Sequence, residues 1–134
     1  MGITFFRNDK NRRDYRVDSK RFVRIGSQLV SDIQGYAPDC INLLECIDEV
    51  AAGRAEYTEY EGNSAVFRCH PGGVTIESLG PVPDPATYTF EEARAVVLQY
   101  FDFLAPTREE KERNVVAWEQ ESGRPFAGRT GVIG

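Results

Sequence analysis

AEYTEYEGNSAVFRCHPGGVTIESL, residues 55–79, decides the fold. Three short runs, 55–60, 65–69 and 73–79, are rich in Tyr, Thr, Val, Ile and Phe. Such residues suit a pleated, half-buried surface. Between them lie Glu61-Gly62-Asn63-Ser64 and His70-Pro71-Gly72-Gly73, residue types that make tight turns. Short strands joined by short turns predict an antiparallel meander.

The flanks read as helices. Upstream, Pro38 suits a first helical turn, where its missing N–H is no loss. Ile41, Leu44, Ile47 and Ala51 recur at helical spacing before Gly53, a natural stop. Downstream, Thr89 with Glu92 forms a capping box, and Phe90, Ala93, Val97, Phe101 and Leu104 make one apolar stripe. Thr107 with Glu110 reads as a second capping box, opening a helix over 108–122 that Gly123 ends. Its charged first turns are expected to project into water.

Farther out, ITFFR (3–7) reads as a strand, and 14–26 as extended chain with Phe22 and Arg24 on one face, Val23 and Ile25 on the other. Residues 27–36 read as a short helix capped by Ser27 and closed at Gly35. The three prolines of 80–88 predict a stiff loop. The order strand, helix, meander, helix, helix predicts an α+β domain over 1–122: a small antiparallel sheet of about four to six strands with its helices on one face. Residues 123–134 read as a flexible tail unless Phe126 or Val132-Ile133 dock.

Composition narrows the function. The chain is 41% hydrophobic and 28% charged with net charge −5, ordinary for a globular protein. No apolar run approaches the roughly 18 residues of a membrane span, and the basic residues near the N-terminus follow the apolar stretch, the reverse of a secretory signal. A cytoplasmic protein without membrane contact is expected. Charge is polarised: residues 1–25 hold eight Lys/Arg and three Asp/Glu, whereas 32–61 hold one Arg and eight Asp/Glu. Such a chain steers charged partners. The basic run has no interleaved stacking aromatics in a recognisable binding fold, so nucleic acid is not the expected partner.

Cys69 and His70 are the one place where cysteine meets histidine. A nucleophile pair needs the base within reach of the thiol, yet adjacent strand residues point to opposite faces. Cys69 shares a face with Ala65 and Phe67, which predicts a core thiol beside an exposed turn histidine. Cys40 and Cys46, six apart on a helix, diverge by roughly 120°, and no Cys-x₂-Cys knuckle exists for zinc. Gly123–Thr130 approaches a phosphate-loop pattern, but a helix leads in where a strand is needed. No catalytic residue, metal ligand or cofactor is therefore assigned.

The binding candidates are Asp48, Glu49, Glu56, Tyr57, Glu59, Tyr60 and Glu61. On a strand, Tyr57 and Glu59 share one face, and Glu56, Thr58 and Tyr60 the other. Tyr anchors protein interfaces, and carboxylates give on-rate and register against a basic partner.

Tyr and Glu on a rigid sheet in a small acidic chain resemble bacterial toxin-immunity proteins. LLECIDEVAAG, EYTEYEGNSAVFR and the helix ending LQYFDFL, within residues 42–104, resemble the YacL-like family of small bacterial proteins. The first resemblance implies an inhibitor that neutralises a cognate toxin domain, often a basic nuclease, by covering its active site or a neighbouring surface. A non-catalytic regulatory interaction module is the alternative, and a small enzyme the third reading.

Overall fold

Helix α2, Pro38–Ala51, is the centre of the molecule. Cys40, Ile41, Leu43, Leu44 and Ile47 are all buried, because α2 packs on strands β3 (Thr58–Glu61) and β4 (Ala65–His70) and also on helices α3 (Phe90–Leu104) and α4 (Arg108–Ser122). The computed structural model of the chain describes residues 2–80 and 85–133.

The fold is α+β, as the order of runs predicts. Among the described residues, six strands are split between two antiparallel sheets. β1 (Ile3–Arg7) and β2 (Arg13–Val17) form a two-stranded ribbon; β3, β4, β5 (Gly73–Ser78) and β6 (Ala86–Tyr88) form a four-stranded meander in that order. Tyr60, Phe67, Cys69, Val74, Ile76 and Tyr88 fill the meander's inner face. α2 packs under β3 and β4, and α3 under β5 and β6, while α3 also meets β1. The ribbon's other support is α1 (Val23–Asp32), which packs on β2.

The expected turns form. Pro71 and Gly72 connect His70 to Gly73, which pair across the hairpin. Gly73 has φ +127°, and a Cβ there would stand 2.3 Å from the Tyr88 carbonyl oxygen, so only glycine fits. The capping box at Thr89 is complete: its hydroxyl accepts from the Glu92 N–H at 3.0 Å, and the Glu92 carboxylate accepts from the Thr89 N–H at 2.9 Å. At Thr107 only half forms. Its hydroxyl accepts from the Glu110 N–H at 3.1 Å, with no return bond from Glu110 among the described residues. Residues 81–84 of the proline-rich stretch lie outside those described.

Residues 14–26 depart from the extended reading. β2 ends at Val17, a 3₁₀ turn spans Lys20–Phe22 with Ser19 as its cap, and α1 begins at Val23, before the expected Ser27. Phe22, Ile25 and Leu29 are all buried. Their i, i+3, i+7 spacing is a helical stripe that bridges the 3₁₀ turn and α1, and it outweighs the short alternation. Residues 86–88, read as loop, pair with β5. After Gly123 the chain docks: Phe126 and Val132 are buried, and Arg129–Ile133 is a short helix, α5.

Glu92 also ties α3 to the segment before α1. Arg21 donates to it through Nε at 2.7 Å and Nη2 at 2.5 Å. The Arg21 guanidinium, then the Thr89 N–H, lower the Glu92 carboxyl to about 2. A lowered folded pKa stabilises above the unfolded value of about 4.3 and is lost as pH falls toward the folded one. Stability is therefore expected to drop between pH about 4.3 and about 2. This part is under about 1 kcal/mol, since the pair is partly exposed to solvent. Urea midpoints at pH 6 and pH 3 check it: Arg21→Ala should shrink the difference between the two pH values.

Candidate functional site

The outer face of the meander is built by strand alternation. Opposite the buried inner row lie Glu59, Glu61, Val66, Arg68, His70, Thr75, Glu77 and Thr87. The register sets Glu59 against Arg68, Arg68 against Thr75, and Thr75 against Thr87. Residues directly opposite on one face are near enough to interact.

Arg68 is the hub. Its Nη1 donates to the Tyr57 hydroxyl at 2.9 Å and to Glu59 Oε2 at 3.1 Å, and its Nε donates to Glu77 Oε1 at 3.1 Å. The Tyr57 hydroxyl in turn donates to Glu59 Oε2 at 2.9 Å. Arg68, Tyr57 and Glu59 thus close a ring, and the same cation also holds Glu77. Tyr57 as a residue stays 47% exposed, while the polar network fixes its hydroxyl in place. Glu56 and Glu61 are exposed and form no ion pair among the described residues. The carboxylates on and beside this face therefore outnumber its one arginine.

The seven candidates divide. Tyr57, Glu59 and Glu61 meet at the outer side of β3, with exposed Glu56 just before it. Tyr60 does not join them. It is 8% exposed and packs edge-on against Phe67, centroids 6.0 Å apart, because it shares the inner face with Phe67 in register. Asp48 accepts from Arg94 of α3 at 2.9 Å, and Glu49 from Arg54 at 3.1 Å. Both acids thus brace α2 and lie off the sheet face. Arg68 and Glu77 were not among the candidates. The turn at 62–65 was their signal, since it fixes the register that brings Arg68 opposite Glu59.

Cys69 and His70 diverge. The Cys69 thiol is fully buried on the inner face, and burial raises its pKa. His70 is half-buried on the outer face: Nδ1 accepts from the Gly72 N–H at 3.1 Å, and Nε2 lies 2.7 Å from Thr75 Oγ1. With Nδ1 accepting, a neutral ring donates from Nε2 to Thr75. The imidazole thus buttresses its own hairpin. Burial pushes the Cys46 thiol up to about 12, the opposite of what a reactive thiolate needs. Among the described residues no three His, Cys, Asp or Glu side chains converge as a metal site, and no helix is long and apolar enough to cross a membrane.

Compared with known proteins, the chain matches no family model, no curated protein and no solved structure.

Proposed function

We propose that this chain is an immunity protein, which binds and neutralises a cognate toxin domain through the acidic, Tyr-bearing side of its meander. One observation carries the reading. The sheet keeps its helices on one face and presents Tyr57, Glu59, Arg68 and Glu77 on the other as a single bonded network. An ordered aromatic loses little freedom on binding. Arg68 holds two of the carboxylates in fixed positions, and the surplus negative charge suits a basic surface such as that of a nuclease.

The test is capture of the tagged protein's partner from its source at low and high salt, followed by co-expression of that partner with and without this chain. One basic partner, bound at nanomolar affinity and toxic only when this chain is absent, is the expected result. Weak, promiscuous partners would overturn the reading. Tyr57→Ala is expected to weaken the complex about 100-fold, as for a central aromatic anchor, measured by surface plasmon resonance. Raising salt should slow association more than it speeds dissociation.

A further inference from the structure

The edge of the meander offers chemistry that its face does not. β3 is a terminal strand, and its hydrogen-bonding phase follows from the turn. The Gly62 N–H donates to the Ala65 carbonyl at 2.8 Å. Antiparallel pairs alternate between bonded and non-bonded, so Tyr60 with Phe67 and Thr58 with Cys69 are the bonded pairs in this register. Glu59 and Glu61 therefore aim their backbone groups away from β4. Among the described residues neither N–H has an acceptor. The Glu59 carbonyl receives only the Cys46 thiol, at 3.7 Å, which leaves a lone pair open.

We infer that this edge takes up an extended basic segment of the partner as a fifth strand. An edge with unpaired amides is a template for strand addition, and the side chains beside it select the occupant. A second copy pairing antiparallel on the same edge would set Glu59 and Glu61 against their own counterparts, and like charges directly opposite destabilise. A segment with Lys or Arg at every second position sets a cation beside each carboxylate instead. The inference deepens the immunity reading, and rests on it in taking the occupant to be part of a protein.

The probe is an acetylated, amidated heptapeptide alternating threonine and lysine, with two N-methylated versions, one methylated on the lysine amides and one on the threonine amides. Only alternate amides of an added strand face its neighbour. The unmodified peptide should bind, slow hydrogen exchange at the Glu59 and Glu61 amides at least tenfold, and lose binding with salt. One N-methylated version should fail while the other binds within twofold. Glu61→Lys, at an exposed carboxylate with no ion pair among the described residues, should weaken binding about threefold with the circular dichroism spectrum unchanged.

Equal binding by both methylated peptides would reduce the contact to side-chain charge and overturn the inference. So would no binding up to millimolar peptide, or a dimer in sedimentation that protects the same two amides. If the peptide pattern appears but no toxin is ever captured, strand addition stands and the immunity reading falls. If a toxin binds while the Glu59 and Glu61 amides exchange as before, the reading stands and strand addition falls.

Discussion

Phe126→Ala is expected to lower stability by about 3–5 kcal/mol, the usual range for removing a buried aromatic ring. Phe126 is 3% exposed and packs on Trp118 with centroids 5.6 Å apart. Around it the chain after Gly123 is tied down at several points. The Phe126 N–H donates to Glu119 at 2.8 Å, and Arg129 pairs with both Glu119 and Glu112 at 3.2 Å. Arg124 lies over the Trp118 ring, 5.1 Å from its centroid, and donates to Glu45, a carboxylate buried in α2. Deleting residues 124–134 should cost at least as much, since it also leaves Glu45 as a buried charge without its cation. Urea unfolding followed by Trp118 fluorescence reads both variants. A loss under about 1 kcal/mol for Phe126→Ala would mean that the segment packs loosely and lies outside the cooperative unit.

Asp32→Ala is expected to cost about 2–4 kcal/mol, for a different reason. Asp32 closes α1 and is 7% exposed. Its carboxylate accepts from the Ser64 hydroxyl at 2.6 Å, the Ser64 N–H at 3.2 Å and the Ala65 N–H at 3.1 Å. One side chain thus caps the turn between β3 and β4 and fastens it to α1. Removing it leaves the buried Ala65 N–H without an acceptor, and such an orphaned donor carries its full desolvation penalty. Gly62→Ala attacks the same joint from the other side, since a Cβ there would lie 2.3 Å from Asp32 Oδ2. Asp32→Asn keeps one acceptor oxygen and should lose less than Asp32→Ala. Equal urea midpoints for Asp32→Ala and the parent chain would remove Asp32 from this role.

Three of the four longer helices and three strands of the meander were legible because each has its own local signal: a cap, a stripe or a turn pair. Where two periodicities overlap, local reading fails. Phe22 and Ile25 fit an alternating strand over a few residues and a helical stripe over more, and only packing beneath Tyr88 decides: the Tyr88 hydroxyl accepts from the Ile25 N–H at 3.2 Å. β6 was hidden by the prolines that precede it, since Ala86-Thr87-Tyr88 itself carries none. The docking of Phe126 has no periodicity at all, because its partner Trp118 lies across a glycine turn. At the site, alternation separated Tyr57 from Tyr60 but left open which face meets water. Register supplies the answer, since Tyr60 stands opposite Phe67, whose face already read as core. Asp48 and Glu49 stand apart from the outer face, and charge on a helix does not reveal in sequence that Arg94 and Arg54 engage it.

The network of Tyr57, Glu59, Arg68 and Glu77 bears on how such a protein diversifies. These four side chains bond to one another on the solvent side of the sheet, while the buried neighbours of the same strands maintain the fold. Exchange of the whole set for another mutually satisfied group leaves the inner row untouched. A lineage built on this scaffold is free to change the chemistry of its outer sheet face through a handful of coupled substitutions, with its folding machinery inherited intact.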